Sequence, residues 1–339
     1  MSGEQPSINA PSKILVIKLS SLGDLFHALP AVHNLRLGLG AGIDWVTQTN
    51  YADVVRCFQD VDRVIAFPRR GFAGRFRAFL GELRQQEYDL IVDLQGLLKS
   101  AFVGRLARGR RRIGPSFHRE GSRLLYPEVA GPRDKNRHAV DEALDIVRYL
   151  NLQLLPPAFP VAFPKMNLAE PGPRVAIVPC SRWVTKNWPP AKFIETARGL
   201  QQKTGAWIYL VGGPEDQATC SDIATQLGSR VTNLCGKTSL VALGSLLQEM
   251  DVVVSVDSGP MHVAAALGRP VVAVFGATDP VRTGPYGAAH RVLCLEGLDC
   301  RPCYSDWCKR KDLKCLHDLS PGRVIEAAVR TLEQKKGPP

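Results

Sequence analysis

The stretch that decides the fold is DVVVSVDSGPMHVAAALGRPVVAVFGATDP, residues 251–280. It opens with a run of valines, Val252 to Val256, broken only by one serine, which is typical of a strand buried on both faces of a parallel sheet. An alanine-rich helical pattern follows, and then a second apolar run from Pro270 to Phe275. The order strand, helix, strand predicts an α/β unit with parallel strands.

The carboxyl ends of these two strands carry residues that indicate a ligand. The first strand ends at Asp257. Ser258 or Gly259 fits the cap of the next helix, with Pro260 at a first helical position. Unpaired N–H groups and the helix dipole at such a start favour anions, and open α/β sheets bind ligands at this rim. We predict a phosphate-bearing ligand, a nucleotide diphosphate, although the same local pattern occurs in α/β proteins without a ligand.

Length and composition are those of an ordinary globular protein. The chain has 339 residues, of which 45% are hydrophobic and 22% charged, and this length suits two domains. No run approaches the roughly 20 apolar residues that span a bilayer. Residues 1–12 lack the apolar core of a secretory signal, so we expect a disordered lead and a cytoplasmic protein.

The positive charge of the chain is concentrated in one segment. The net charge is +11, and residues 61–137 contain 17 Lys or Arg against 8 Asp or Glu. The segment is either a solvated basic surface or a docking face for a polyanion or an anionic membrane. No basic motif with interleaved aromatic residues is present, so we do not expect a nucleic-acid partner.

The chain is organised as two α/β units in tandem. KILVIK, residues 13–18, predicts the first buried strand, and a helix is expected from Asn136 to Leu150. Six prolines between 156 and 173 predict a linker, after which the strand and helix pattern restarts. The predicted parts are a lead (1–12), an N-terminal domain (13–155), the linker (156–173), a C-terminal domain (174–320), and a final helix and tail (321–339).

Asp24 stands in the loop after the first strand, at the opening of a helical pattern. The loop lacks the GxGxxG spacing of a dinucleotide site, which disfavours a dehydrogenase. The helix dipole stabilises a carboxylate at the start of a helix, so Asp24 is either a helix-terminal residue or a functional acid. One carboxylate facing an activated sugar diphosphate is sufficient as the general base of an inverting glycosyl transfer.

Residues after other strands extend the predicted anion site of the second half. Lys186 lies in a loop with two tryptophans, where an ammonium group suits a developing phosphate charge. Glu215 is placed like the acid that accepts ribose hydroxyls in nucleotide sites. Together with Asp257 and His262, these residues predict a cradle for a nucleoside diphosphate.

Four separated motifs resemble the lipopolysaccharide heptosyltransferases of glycosyltransferase family 9, with heptosyltransferase I the most similar branch. They are KILVIKLSSLGDLFHALPAV (13–32), YDLIVDLQGLLKSAFVGRLARG (88–109), TKNWP (185–189) and SVDSGPMHVAAALGRPVVAVFGATDP (255–280). The resemblance implies a GT-B fold, two Rossmann-like domains with a cleft between them. It also implies inverting, metal-free transfer of heptose from ADP-L-glycero-D-manno-heptose to a Kdo residue of lipid A, in inner-core synthesis.

The resemblance also assigns roles to residues. Asp24 is the base, Asp257 holds sugar hydroxyls, and the N–H groups of Ser258 and Gly259 bind the diphosphate. Donor-binding residues are Ser181, Arg182, Lys186, Glu215, Asp257, Ser258, Gly259 and His262, and acceptor-binding residues are Arg69, Arg70, Lys99 and Arg123. The implied partners are an ADP-sugar and an anionic lipid-linked saccharide, met at the cytoplasmic face of the inner membrane.

Two features of this chain limit what the resemblance implies. Ser181 and Arg182 stand where heptosyltransferase I has a pair of threonines, which puts the diphosphate contacts there in question. The cysteines Cys300, Cys303, Cys308 and Cys315 form C-x2-C-x4-C-x6-C, similar to a cluster in autotransporter heptosyltransferases that bind iron. Four thiolates this close suit structural zinc or iron, and reduced, unliganded thiols are the alternative.

Two other functions remain open on the sequence. One is a family 9 transferase for another nucleotide sugar or acceptor, since pocket shape sets that choice. The other is a non-catalytic protein that binds a nucleotide sugar, which has no need of a carboxylate at Asp24. The sequence leaves the nucleotide base and the oligomeric state undetermined.

Overall fold

The computed structural model describes residues 12–68, 72–134 and 136–335. The chain forms two compact units, residues 1–162 and 163–339. Apart from Ser12, the predicted disordered lead lies outside the described residues, as do the last four residues of the predicted tail.

The first unit contains a six-stranded parallel sheet. Its strands are β1 (Lys13–Ile17), β2 (Gly42–Gln48), β3 (Arg63–Phe67), β4 (Tyr88–Asp93), β5 (Gly109–Pro115) and β6 (Glu128–Ala130), in the spatial order β3-β2-β1-β4-β5-β6. The helices are α1 (Leu22–Leu39), α2 (Ala52–Val55), α3 (Phe72–Leu83), α4 (Leu98–Leu106), α5 (Ala139–Ala143) and α6 (Asp145–Tyr149), with 3-10 turns at Thr49–Tyr51 and Ser122–Leu125.

The second unit repeats this arrangement. Its strands are β7 (Arg174–Val178), β8 (Trp207–Leu210), β9 (Val231–Asn233), β10 (Val252–Val256), β11 (Val271–Phe275) and β12 (Arg291–Cys294), in the order β12-β11-β10-β7-β8-β9. The helices are α7 (Pro190–Thr204), α8 (Gln217–Leu227), α9 (Leu240–Leu247), α10 (Gly259–Ala266), α11 (Pro280–Thr283), α12 (Lys314–His317) and α13 (Pro321–Lys335), with 3-10 turns at Val184–Lys186 and Pro214–Asp216.

The central strands are buried on both faces, which is why they are continuous apolar runs. Every residue of β10 and β11 is buried, and the two strands pair in parallel with Val253 opposite Val271. Side chains of α7 and α13 pack with those of β7 and β10 in one core. The prediction of two Rossmann-like α/β units in tandem is confirmed.

One predicted helix is interrupted. The segment from Asn136 to Leu150 contains two short helices, α5 and α6, which meet at Leu144. Asp145 is 3% exposed there, and its carboxylate accepts hydrogen bonds from Arg137 at 2.7 Å and Arg148 at 2.9 Å. The buried Asp145 carboxylate thus holds Arg137, before the first helix, and Arg148, in the second, an arrangement that the apolar periodicity did not indicate.

In both sheets, the crevice lies at the same point in the strand order. The first and fourth strands of each unit are neighbours, β1 beside β4 and β7 beside β10. The connections from these two strands leave in opposite directions, so a crevice opens at their carboxyl ends. The loops after these four strands hold Asp24, Lys186 and Asp257.

Candidate active site

Asp257 is the centre of the candidate site in the second unit. It follows β10 directly and is 4% exposed. Its Oδ2 atom accepts a hydrogen bond from the Thr278 hydroxyl at 2.6 Å and pairs with the Lys186 ammonium at 2.7 Å. Lys186 lies 4.8 Å from the centre of the Trp183 ring. A buried carboxylate and a lysine from the neighbouring strand's loop thus meet at the crevice.

The start of α10 lies beside this pair. Ser258 is the N-cap with an extended backbone, and Gly259 and Pro260 begin the helix. The Ser258 hydroxyl is 3.1 Å from that of Ser255, inside β10. His262, one turn into the helix, is buried. The first N–H groups of a helix lack partners within it, so this helix start supplies donors for an anion.

The loop after β7 is held in shape by an asparagine. The Asn187 side chain accepts from the Ser181 N–H at 2.6 Å and donates to the Ser181 carbonyl at 3.0 Å. The same loop approaches the one after β11, where a Cβ on Gly276 would lie 2.5 Å from the Thr185 carbonyl oxygen. Glycine is therefore required for these two loops to pack, and Lys186 is positioned by both.

Two predicted donor residues lie at the surface of this region. Arg182 is exposed in the loop after β7. Glu215 is exposed in the 3-10 turn after β8, while the adjacent Asp216 accepts a hydrogen bond from the Gly213 N–H at 2.8 Å. Asp216, and not Glu215, accepts the hydrogen bond of this turn. The exposed Glu215 carboxylate therefore suits a contact with ligand hydroxyls.

Asp24 lies at the crevice of the first unit, in the first turn of α1. Its Oδ2 atom accepts the N–H and the hydroxyl hydrogen of Ser21, both at 2.8 Å. Its Oδ1 atom is 3.9 Å from Nδ1 of His27. The Asp24 side chain is 44% exposed. The carboxylate is therefore held in one orientation and remains accessible to solvent.

A turn after β4 positions the loop that carries Asp24. The Gln95 side-chain oxygen accepts from the N–H groups of Leu19 and Ser20, each at 3.0 Å. Gly96 in this turn has a φ of 74°, and a Cβ there would lie 3.2 Å from the His118 Cα. A left-handed backbone and this close approach both require glycine.

A buried carboxyl group stabilises the same turn. Asp93 accepts hydrogen bonds from the N–H of Gln95 at 2.7 Å and from the hydroxyl of Tyr126 at 2.6 Å. Burial raises the pKa of the Asp93 carboxyl, and these hydrogen bonds oppose the rise. The hydrogen bonds join β4 to the segment before β6.

The predicted acceptor residues fall in two groups. Lys99 is exposed on α4, and its ammonium is 5.5 Å from the centre of the Phe67 ring. Arg123 is exposed in the 3-10 turn at Ser122–Leu125 and donates to the Tyr126 carbonyl at 2.7 Å. Arg69 and Arg70 lie outside the described residues.

The cysteine segment precedes α12 and includes part of it. The four cysteines lie within 16 residues of the sequence, and burial raises the pKa of the Cys315 thiol, against the positive charge of Arg301. Among the residues the structure describes, however, no group of three or more His, Cys, Asp or Glu is arranged to hold a metal ion. This geometry does not form a ligand shell, and the structural metal stays a prediction.

Several residues of the site were not predicted from the sequence. Thr278 and Asn187 fix Asp257 and the Lys186 loop, and Gln95 fixes the Asp24 loop. Gln95 and Asn187 lie inside recognisable motifs, DLQG and TKNWP. Gln95 binds Leu19 and Ser20, about 75 residues away, and Thr278 binds Asp257 on another loop, whereas Asn187 binds Ser181 within its own loop. The sequence patterns did not identify these partners.

Comparison with known proteins identifies the family. The model of glycosyltransferase family 9 (heptosyltransferase) matches residues 76–314. The chain belongs to glycosyltransferase family 9. This family 9 enzyme is 29% identical to lipopolysaccharide heptosyltransferase 1 of Pseudomonas aeruginosa, over 92% of this chain and 96% of the relative. It is 30% identical to lipopolysaccharide heptosyltransferase 1 of Salmonella typhimurium, over 83% of this chain and 94% of the relative.

A solved structure extends the likeness to three dimensions. E. coli heptosyltransferase WaaC with ADP matches with a TM-score of 0.78 at 26% identity, covering 94% of this chain and 99% of the other. The predictions of a glycosyltransferase and of a GT-B type fold are confirmed. Within its described residues, the family 9 enzyme has no helix both long and apolar enough to cross a membrane.

Proposed function

We propose that this family 9 enzyme transfers heptose from an ADP-activated donor to a Kdo residue of lipid A, with inversion at the anomeric carbon. The observation that carries the proposal is the pairing of Lys186 with the buried Asp257 beside the start of α10. The names of the relatives, and ADP in the WaaC title, support the choice of donor.

In the proposed donor site, each group has one task. The N–H groups at the start of α10 and the Lys186 ammonium bind the diphosphate and offset its charge as the ADP leaves. Asp257 accepts hydrogen bonds from heptose hydroxyls, while Thr278 holds its carboxylate in place. Glu215 accepts the ribose hydroxyls.

In the proposed reaction, Asp24 removes the proton from the acceptor hydroxyl. The hydroxyl oxygen attacks the anomeric carbon from the face opposite the ADP. The new carbon–oxygen bond forms as the bond to the diphosphate breaks, and ADP leaves with both electrons of that bond. A single base is sufficient, because the diphosphate is a good leaving group once its charge is neutralised.

The acceptor and its location complete the proposal. Lys99 and Arg123, with Arg69 and Arg70, bind the phosphates and carboxylates of an anionic, lipid-linked saccharide. The enzyme then works at the cytoplasmic face of the inner membrane. No metal takes part in the transfer.

The decisive experiment is replacement of the base. We expect Asp24→Ala to abolish heptose transfer and to leave the affinity for ADP unchanged, measured by calorimetry. Asp24→Asn keeps an acceptor for the Ser21 donors and should be equally inactive, which separates the chemical role from the helix-terminal one. A fully active Asp24→Asn enzyme would remove Asp24 from the mechanism.

The donor is tested separately by thermal shift with ADP, UDP and GDP. Stabilisation by ADP alone supports heptose transfer, and preference for UDP assigns another sugar. Nucleotide binding without any transfer to lipid A would support a nucleotide-sugar-binding protein instead.

A further inference from the structure

Three large apolar side chains are exposed in one part of the first unit. Leu98 and Phe102, on α4, are 47% and 52% exposed, and Leu124, in the 3-10 turn at Ser122–Leu125, is 90% exposed. Large apolar groups at neighbouring surface positions indicate an interaction site. A leucine exposed to this extent contributes nothing to the core.

The two elements that carry them pack against each other. The Ser122 hydroxyl donates to the Gly96 carbonyl at 2.9 Å, just before α4. The N–H of Leu98 donates to the Glu120 carboxylate at 3.2 Å. These bonds join the two elements at the start of α4, so the exposed leucines and the phenylalanine belong to one surface.

Helix α4 has one buried face and one exposed face that carries large apolar side chains. Ser100, Ala101, Val103 and Gly104 are buried, and Val103 contributes to the core of the sheet. The opposite face carries Leu98, Lys99, Phe102 and Arg105, all exposed. Its outward face is therefore apolar and cationic, which is typical of helices that lie on anionic lipid surfaces.

Charge complementarity points to the same partner. The exposed residues around the three apolar side chains include Lys99, Arg105, Arg119 and Arg123. The neighbouring acid Glu120 already accepts the Leu98 N–H. Lysine and arginine close to an anionic bilayer are attracted to its surface potential, while leucine and phenylalanine enter the interface.

We infer that the surface formed by Leu98, Phe102 and Leu124, with Arg105 and Arg119, docks the enzyme on an anionic phospholipid bilayer. The inference deepens the proposed function, on which it rests. Because α4 follows the turn in which Gln95 holds the Asp24 loop, a bilayer bound here lies next to the crevice of the base. A membrane-embedded acceptor then presents its saccharide to Asp24 without leaving the lipid.

The test is flotation with vesicles of phosphatidylcholine, with and without phosphatidylglycerol. The wild-type enzyme should float only with the anionic vesicles, and Phe102→Glu with Leu124→Glu should weaken partitioning by about tenfold or more. The matched control is Leu37→Glu, since Leu37 is 56% exposed in the last turn of α1, at the other end of the strands. This variant should float like the wild type.

Activity measurements separate docking from catalysis. The double variant should lose transfer to an acceptor embedded in vesicles and keep full transfer to a water-soluble acceptor without acyl chains. Equal flotation of wild type and double variant, with both folded by urea denaturation, overturns the docking surface. So does a wild-type dimer that the double variant converts to a monomer. Anionic flotation without transfer to either acceptor retains the docking surface and overturns the proposed function.

Discussion

Asp24 combines a structural contact and a proposed chemical role in one side chain. One carboxylate oxygen accepts both donors of Ser21 at the start of α1, and the side chain is still 44% exposed. A carboxylate has two oxygens and about four acceptor positions. The two interpretations of the sequence, helix-terminal residue and functional acid, are therefore compatible.

A prediction for the proposed donor site concerns Lys186. Replacing Lys186 with Met removes the ammonium group beside Asp257 and leaves a buried carboxylate without its cation. We expect the dissociation constant for ADP to rise by about tenfold to a hundredfold, because hydrogen bonds to charged groups contribute about 1.5–3 kcal/mol. Isothermal titration calorimetry at fixed ionic strength measures the change.

The control for Lys186 is another lysine of the second unit in a similar setting. Lys192 lies over the Trp188 ring at 5.8 Å and donates to the Leu319 carbonyl. Lys192→Met should bind ADP like the wild type. If both variants lose the same affinity, the effect comes from destabilisation of the unit and not from the predicted phosphate contact.

At the scale of elements, some strands could be predicted from the sequence and others could not. The central strands β1, β7, β10 and β11 are almost entirely apolar because both of their faces are buried. The sequence did not predict β5, which carries three arginines in GRRRIGP. Arg111 pairs with Glu128 on the edge strand β6, and Arg112 donates to the Gly104 carbonyl. Glu128 meets Arg111 because β5 and β6 are neighbours in the sheet.

The pair on the outer strands leads to a pH-dependent prediction. Hydrogen bonds from Arg111 hold the pKa of Glu128 below its usual value. A lowered pKa means that the pair stabilises the fold above the ordinary glutamate pKa and loses this effect as the pH falls through the lowered value. Glu128→Gln should reduce the free energy of unfolding by about 0.5–1 kcal/mol at pH 7. The difference should shrink in acid, as urea denaturation at several pH values will show.

A second ion pair of the same unit provides the control. Glu87 and Arg110 are 3.7 Å apart, with side chains 66% and 76% exposed. Solvent screens such a pair, so Glu87→Gln should leave the unfolding free energy unchanged at every pH. Equal losses for Glu87→Gln and Glu128→Gln would show that general surface charge, and not the pairing of β5 with β6, sets the effect.

At the scale of the whole molecule, the sequence predicts where the candidate site lies, but it did not predict the contacts that hold the site in shape. A buried strand followed by DSGP predicts an anion site from local physics, since helix start and strand end are adjacent in sequence. The hydroxyl that fixes Asp257 belongs to Thr278, on the loop of the neighbouring strand. Sequence patterns describe neighbours along the chain, so contacts between strand ends depend on the sheet order.

The nine cysteines give a prediction for the whole chain. Burial raises the pKa of Cys308, but backbone N–H groups of Leu313 and Arg310 outweigh burial and bring the pKa below the usual thiol value. Burial raises the pKa of Cys220 and Cys235. A thiol reagent at pH 7 should therefore modify Cys308 at least about tenfold faster than Cys220, since the thiolate reacts. Peptide mass spectrometry after timed quenching measures both rates.

The same experiment decides between free thiols and a metal. If Cys308 reacts slowly and its modification releases one equivalent of zinc or iron, detected with a chromophoric chelator, the four cysteines hold a structural ion. Fast reaction without released metal leaves them as reduced thiols. Cys308→Ser, which removes the reactive sulfur, assigns the fast phase.

The repeated strand order has a practical consequence for protein engineering. Asp24 and the proposed docking surface belong to residues 1–162, whereas Lys186, Asp257 and Glu215 belong to residues 163–339. Each half encloses its own sheet, and chimeras joined near residue 162 would keep both cores intact. If the proposed donor site in residues 163–339 is correct, swapping this half should exchange the nucleotide-sugar preference, while the half that carries the proposed acceptor residues is inherited unchanged.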